Sequence, residues 1–373
     1  MECSEARLPA NTSLVFHLRG ERETSVAVLT PLDHRRLACF SSQSQMILQT
    51  RDLAIGYTGK PSRIVSEHLG LELRAGELVC LIGPNGVGKS TLIRTLAAMQ
   101  PPIRGSVALM GDDVHKLTAR DLARRLSVVL TERVNPGLLT AYGLVSLGRH
   151  PYTDWSGRLS AHDEAVVWQA IEAVGATALA DRQIGELSDG ERQKIMIARA
   201  LAQEPMLMIL DEPTAFLDLP RRVEMMQLLR RLAHDRQRTI LLSTHDLDLA
   251  LRTADRIWLM AQDGKLEVGA PEDLVISGAF EAAFQAEGVS FDAQTGTFRV
   301  NSATQGSIRV IGKGLVALWT QHALERAGFT TTDSSTALAC VEVDPPCWRL
   351  ISGDPIGEYD SLYQLVEAAR KLI

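Results

Sequence analysis

Gly83-Pro84-Asn85-Gly86-Val87-Gly88-Lys89-Ser90 fits the pattern G-x-x-x-x-G-K-[ST], and Thr91 follows it. In that pattern a glycine-rich loop lets backbone N–H groups close around phosphate oxygens, while the lysine ammonium reaches the β- and γ-phosphates. The pattern carries weight only between a buried strand and a helix. Glu77-Leu78-Val79-Cys80-Leu81-Ile82 is an apolar run of strand length, and Lys89 to Met99 is predicted helical with Leu92, Ile93 and Leu96 on one face. The start of that helix, with its unpaired N–H groups and positive dipole end, then points at the phosphates. The plain alternative is a glycine-rich turn. The strand–loop–helix setting argues against it, and a nucleotide site is predicted here.

With 373 residues the chain has room for two or three domains with sizeable cores. A hydrophobic fraction of 45% and a charged fraction of 23% are ordinary for a soluble globular protein. The net charge of −6 gives no basic face or stripe of the kind nucleic acid requires, so no nucleic-acid partner is expected. Cys3, Cys39, Cys80, Cys340 and Cys347 are scattered, without C-x-x-C spacing, and read as reduced structural thiols of a cytosolic protein. No apolar run approaches the length of a bilayer span, and Leu14-Val15-Phe16 is too short and too polar in its flanks for a signal peptide.

Residues 1–45 lack periodicity and are expected to be a flexible extension, with Met46 a candidate native start; a short strand packed on the body is the alternative. Short strands between Gly56, Gly59-Lys60-Pro61 and Ala75-Gly76 predict an antiparallel β layer over about 47–80. Strand-like patches follow at Ser106–Met110 and Leu126–Leu130, then a helical stretch over about 137–202. Apolar strands return at Met206–Leu210 and Thr239–Ser243 with a helix from Pro220 to His234 between them, which argues a largely parallel sheet binding its ligand at the strands' carboxyl ends. From about 271 onward, strands at Ile308–Ile311, Leu338–Val343 and Trp348–Ile351 and helices at Leu315–Ala327 and Tyr359–Leu372 predict a small α+β domain.

Leu207-Met208-Ile209-Leu210-Asp211-Glu212-Pro213 ends an apolar strand in two acids, which is costly unless a cation compensates them. A Mg²⁺ on the nucleotide phosphates, with Ser90 and Asp211 as protein ligands, answers that, and Glu212 is then placed to orient or deprotonate the attacking water. A solvated strand-to-turn junction is the alternative. Leu187-Ser188-Asp189-Gly190-Glu191 opens another helix, with Ser188 and Glu191 at capping-box spacing and an N-terminus able to bind an anion.

The phosphate loop, Leu187–Glu191, Asp211-Glu212-Pro213 and Ser243-Thr244-His245-Asp246 together resemble, in order and spacing, an ABC ATPase cassette over roughly residues 47–270. The resemblance implies a P-loop NTPase α/β fold: a mostly parallel core, an antiparallel β layer and a helical subdomain over about 132–202, together spanning 46–270. The small α+β domain of 271–373 is then a regulatory or bracing extension. It implies ATP and Mg²⁺ as ligands and hydrolysis assisted by Lys89, Glu212 and the switch histidine His245. Two copies sandwich two nucleotides, each copy's Ser188 and Gly190 closing over the other's phosphate loop, and Ala215-Phe216-Leu217-Asp218 resembles the loop at that interface. Tyr57 matches the aromatic that stacks on adenine; a turn or core aromatic is its alternative.

Two departures stand out. Asp189 and Glu191 replace a glycine and a glutamine of the usual signature, so the Asp189 carboxylate is expected to turn away from phosphate. After Leu126–Leu130 the family has a glutamine at the metal; here Thr131-Glu132 stands, and the Thr131 hydroxyl or Glu132 is the candidate substitute, Thr131 being the one placed at the nucleotide.

About 120 residues separate Lys89 from Asp211, without the coiled coil or cysteine cluster of repair ATPases and without the second phosphate loop of translation types. A soluble repair or translation ATPase, an export cassette and a nucleotide-gated scaffold of another P-loop class are therefore the alternatives. The favoured reading is the energy-coupling subunit of an importer, peripheral on the cytoplasmic face of the membrane, with permease subunits on other chains and a substrate-binding protein as an indirect partner. Gly148-Arg149-His150-Pro151-Tyr152, the Leu-Ser-Asp-Gly-Glu variant and Thr214–Asp218 resemble importers of iron-siderophore, haem or cobalamin type, where the first of these segments grips a permease helix; an ordinary basic loop is its alternative.

Overall fold

The computed structural model describes residues 45–59, 63–131, 138–284, 289–293, 296–300, 305–332, 337–344 and 347–372. Apart from Gln45, the extension read at 1–45 lies outside them, as do Glu132, Cys3 and Cys39.

The chain opens with β1 (Met46–Tyr57), β2 (Arg63–Leu69) and β3 (Glu72–Arg74), and then enters β4 (Leu78–Ile82). Every residue of β4 is buried, the mark of a strand covered on both faces. After the Lys89–Leu96 helix come β5 (Arg104–Leu109), β6 (Asp112–Asp113) and β7 (Leu126–Val129), then β8 (Leu207–Asp211), β9 (Thr239–Ser243), β10 (Arg256–Met260) and β11 (Leu266–Gly269). Two sheets result. β2, β1, β5 and β6 lie side by side in an antiparallel layer, with β3 also pairing β1. The core sheet runs β11-β10-β4-β9-β8-β7, parallel except for β11. The two strand-like patches that follow the phosphate loop in sequence thus go to different sheets.

Alternation along β4 divides the apolar interior. Val79 and Leu81 face a core built with Leu92, Ile93 and Leu96 of the phosphate-loop helix and Leu48, Ile55 and Val107 of the antiparallel layer. Leu78, Cys80 and Ile82 face the opposite core, shared with Ile195, Ala198, Met225 and Leu229. The phosphate-loop helix ends at Leu96 rather than Met99, because Ala98 turns to φ +57 and breaks the ladder. The long helical stretch is divided into Ala141–Ser146, Ala161–Ala173 and Asp189–Ala202, joined by 3₁₀ turns.

Within that helical portion Gly148 lies so near the last helix that a Cβ would fall 2.3 Å from the Arg199 carbonyl. Arg149 consequently turns inward and is almost fully buried. Its guanidinium donates to Asp163 at 2.8 Å, the Ala202 carbonyl at 2.8 Å and Glu204 at 2.7 Å, and lies 3.9 Å from the centre of the Tyr152 ring. Arg149 therefore ties three segments together rather than presenting its charge outward. Hydrogen bonds from Ser160, and then the Arg149 guanidinium, hold the Asp163 carboxyl down to about 2 against the opposing effect of burial. We expect Asp163→Asn to destabilise the fold by about 3 kcal/mol at neutral pH, since it strips a buried guanidinium of one of its two carboxylates. A depressed folded-state pKa means the contribution is complete above about pH 4 and fades as pH falls toward about 2. Urea unfolding of wild type and variant should thus show a gap at pH 7 that narrows at pH 3.

Two short helices, Pro271–Ile276 and Ala279–Ala283, return apolar side chains to the core: Leu274, Ala279, Phe280 and Ala283 join it, and Phe280 stacks on Phe291 with centroids 5.5 Å apart. A hairpin follows, β12 (Val289–Asp292) with β13 (Thr297–Val300). The remaining strands are β14 (Gly306–Ile311), β15 (Phe329–Thr332), β16 (Ala339–Asp344), β17 (Cys347–Ser352) and β18 (Asp354–Tyr359), in the order β15-β14-β16-β17-β18. Ile308, Val341 and Leu350 bury against Leu324 and Leu365 from the helices Leu315–Arg326 and Leu362–Arg370. The expected helix from Tyr359 starts later. Tyr359 closes a strand, and the Ser361 side chain caps the helix by accepting from the Gln364 N–H.

Candidate functional site

The phosphate loop leaves β4 and enters the Lys89–Leu96 helix through glycines that no other residue could replace without strain. Gly83 and Gly88 have φ +157 and +118, and a Cβ on them would meet the Met260 carbonyl at 2.3 Å and the Val65 side chain at 2.2 Å. Gly88 occupies the cap position and supplies no side-chain acceptor, so the first N–H groups of the helix stay open for an anion. Lys89 is buried, and its ammonium donates to the Gly83 carbonyl at 2.8 Å and the Pro84 carbonyl at 2.9 Å. Burial lowers its pKa, while the Glu212 and Asp211 carboxylates nearby act in the opposite sense. The loop lysine and both strand-end acids thus share one electrostatic environment.

β8 and β9 pair with Asp211 opposite Ser243, which makes Ser243 the hub of the carboxylate side. Its hydroxyl donates to Asp211 Oδ1 at 2.6 Å and accepts from the Glu212 N–H at 2.9 Å. Ser243 is fully buried and was not singled out for a role by the sequence; a lone hydroxyl ending an apolar strand was the available signal. Glu212 adopts φ +51, unusual for a residue with a side chain, and its carboxylate contacts the His245 imidazole Nε2. Thr131, just beyond β7, donates its hydroxyl to the Asp211 carbonyl at 2.7 Å.

Tyr57 ends β1 with half its surface exposed, its hydroxyl 3.1 Å from that of Thr91. The ring therefore stands beside the helix that follows the phosphate loop, free to offer a face. Ser90, Asn85 and Gly86 are exposed on the loop.

Ser188 and Gly190 are placed differently. Ser188 and Glu191 form the reciprocal capping box at the start of the Asp189–Ala202 helix. Asp189 lies 3.6 Å from Arg192, one turn along its own helix. Among the described residues no hydrogen bond or ion pair joins Ser188 or Gly190 to the phosphate loop. Phe216, in the loop after β8, is mostly exposed at φ +65.

Oxygen donors on Ser90 and Asp211 suit a hard divalent cation that keeps most of its shell for phosphate and water. Among the described residues no group of three or more His, Cys, Asp or Glu side chains could hold a metal by itself.

Comparison with known proteins places this geometry. The ABC transporter family matches residues 66–215, and the iron ABC transporter C-terminal domain matches residues 305–370. An uncharacterized ABC transporter ATP-binding protein of Methanocaldococcus jannaschii is 43% identical over 256 residues, 69% of this chain and 87% of that protein. The chain belongs to the ABC transporter ATP-binding proteins. The iron(3+)-hydroxamate import ATP-binding protein of Bacillus subtilis is 36% identical over 238 residues, covering 64% of this chain and 87% of that one. Among solved structures, a dimeric bacterial ABC transporter cassette superposes with a TM-score of 0.53 at 26% identity, over 60% of this chain and 99% of the other. The ABC cassette fold is therefore the one described above, and among its described residues no helix is long and apolar enough to cross a membrane.

Proposed function

We propose that this ABC protein hydrolyses ATP as the paired energy-coupling subunit of a membrane importer for ferric siderophores or a related metal chelate such as haem or cobalamin. The observation that carries the reading is the convergence of Lys89, Asp211 and Glu212 at one end of the parallel sheet, with His245 in contact with Glu212. Support for the cargo comes from the iron(3+)-hydroxamate relative and from the iron-transporter family matched at residues 305–370.

In this reading the loop of residues 83–91 surrounds the triphosphate, with backbone N–H groups from Gly83, Asn85, Gly86, Val87, Gly88 and Thr91 and with Pro84 shaping the turn without a donor of its own, and Lys89 exchanges its carbonyl partners for β- and γ-phosphate oxygens. Tyr57 stacks on the adenine. Ser90 and Asp211 would hold Mg²⁺, which neutralises charge on the phosphates when bound. Glu212 orients or deprotonates the attacking water, and His245 turns from Glu212 to the γ-phosphate. Ser188 and Gly190 act on the nucleotide of a second copy, in keeping with a placement where, among the described residues, no hydrogen bond or ion pair joins them to their own loop. The assembly sits at the cytoplasmic face of the membrane on separate permease chains, and a binding protein delivers the chelate.

The test is reconstitution. Co-expressed with its permease in liposomes, the chain should hydrolyse ATP faster by about an order of magnitude when a ferric-siderophore-loaded binding protein is added. Turnover indifferent to permease and binding protein would point instead to a soluble ATPase.

A further inference from the structure

The peptide unit between Asp211 and Glu212 is gripped from both neighbouring strands. Its N–H donates to Ser243 at the end of β9, and its carbonyl accepts from Thr131 just beyond β7. These bonds run in the direction of the sheet, since β7, β8 and β9 are consecutive in it. The residue just after the peptide, Glu212, is held at φ +51, where a Cβ is disfavoured. A backbone in that region persists only where its surroundings fix it. Two directed hydrogen bonds on the same peptide, one of them donated to a buried serine, supply that fixation.

We propose that Thr131 is a positioning residue for the Glu212 carboxylate, acting through the Asp211 carbonyl rather than as a ligand of nucleotide or metal. Its only hydroxyl hydrogen is directed at that carbonyl, so the side chain offers a metal no more than a neutral lone pair. Thr131 is thereby joined to the strand end bearing the acids by one hydrogen bond. A displacement of Thr131 would tilt the peptide and swing Glu212 relative to the phosphates. The inference rests on the proposed ATPase reading, which it deepens by naming a further residue.

Thr131→Val removes the donor at almost constant volume, and Thr131→Ser keeps it. We expect the valine variant to lose about tenfold in kcat, with KM for ATP and half-saturating Mg²⁺ within twofold of wild type, and the serine variant to recover most of the rate. Hydrogen exchange across residues 207–217 should accelerate in the valine variant alone. A Mg²⁺ requirement raised tenfold by valine would make Thr131 a metal ligand and overturn the proposal. So would a wild-type rate in the valine variant, or a loss that serine does not restore. The exchange measurement separates the two readings: a wild type that binds ATP without turnover refutes the ATPase reading, while unchanged exchange refutes the clamp.

Discussion

A Glu212→Gln chain is expected to bind ATP as tightly as wild type and to turn it over about a thousandfold more slowly, a loss of about 4 kcal/mol in transition-state stabilisation. Glutamine keeps the shape of glutamate and an oxygen toward His245, so the contact between these side chains can persist. The backbone at φ +51 is fixed by Ser243 and Thr131, neither of which touches the altered atoms. In the proposed reading, binding is the work of the phosphate loop and Lys89, which the substitution leaves intact. What disappears is the carboxylate proposed to take a proton from the attacking water. Equilibrium nucleotide binding and single-turnover hydrolysis measured on the same preparation check both halves. A variant that hydrolyses at the wild-type rate would remove Glu212 from the chemistry. The effect should far exceed that of Thr131→Val, which tilts the carboxylate without discharging it.

The phosphate loop and the acid-ended strand were legible in sequence because their chemistry is local. Gly83 to Ser90 must be contiguous to wrap an anion, and Asp211-Glu212 must close one buried strand. What escaped was set by contacts between distant segments. Arg149 reads in sequence as part of a segment that grips a permease helix, with an ordinary basic loop as the alternative, yet its side chain is buried because Asp163 and Glu204, far along the chain, fold onto it. Nothing in the pattern around residue 149 announces that pairing. Ser243 acquires its role only through the register that sets it opposite Asp211. Asp354–Tyr359 was missed as a strand because Pro355 and Gly357 depress strand propensity; it is tolerated at the sheet edge, where β18 has one neighbour and a missing N–H breaks no second ladder. The phosphate-loop helix ended early for a related reason. Ala97-Ala98-Met99 carry good helix propensity, but Ala98 turns to positive φ toward β5 while Ala97 is buried in the core and Ala98 packs against it.

Lys89→Ala should weaken ATP binding by about a hundredfold or more, while leaving the fold close to its wild-type stability. A charge-assisted contact to phosphate contributes about 3 kcal/mol, which is about two orders of magnitude in Kd. The expectation for stability follows from what the lysine does without nucleotide. It is buried, its charged form is disfavoured by that burial, and its two carbonyl acceptors lie on buried Gly83 and half-buried Pro84, so the loss of their donor is part of what relief of the buried charge has to offset. Because its folded-state pKa is lowered, the ammonium carries a cost in the folded state at neutral pH that truncation relieves, offsetting lost packing. Calorimetric titration with Mg·ATP and thermal unfolding without nucleotide separate the two effects. A large fall in affinity with an unchanged melting temperature fits a lysine kept for the phosphates. A melting temperature lowered by ten degrees or more, with binding still measurable at wild-type strength, would make Lys89 a structural cation and return the loop to an ordinary glycine-rich turn.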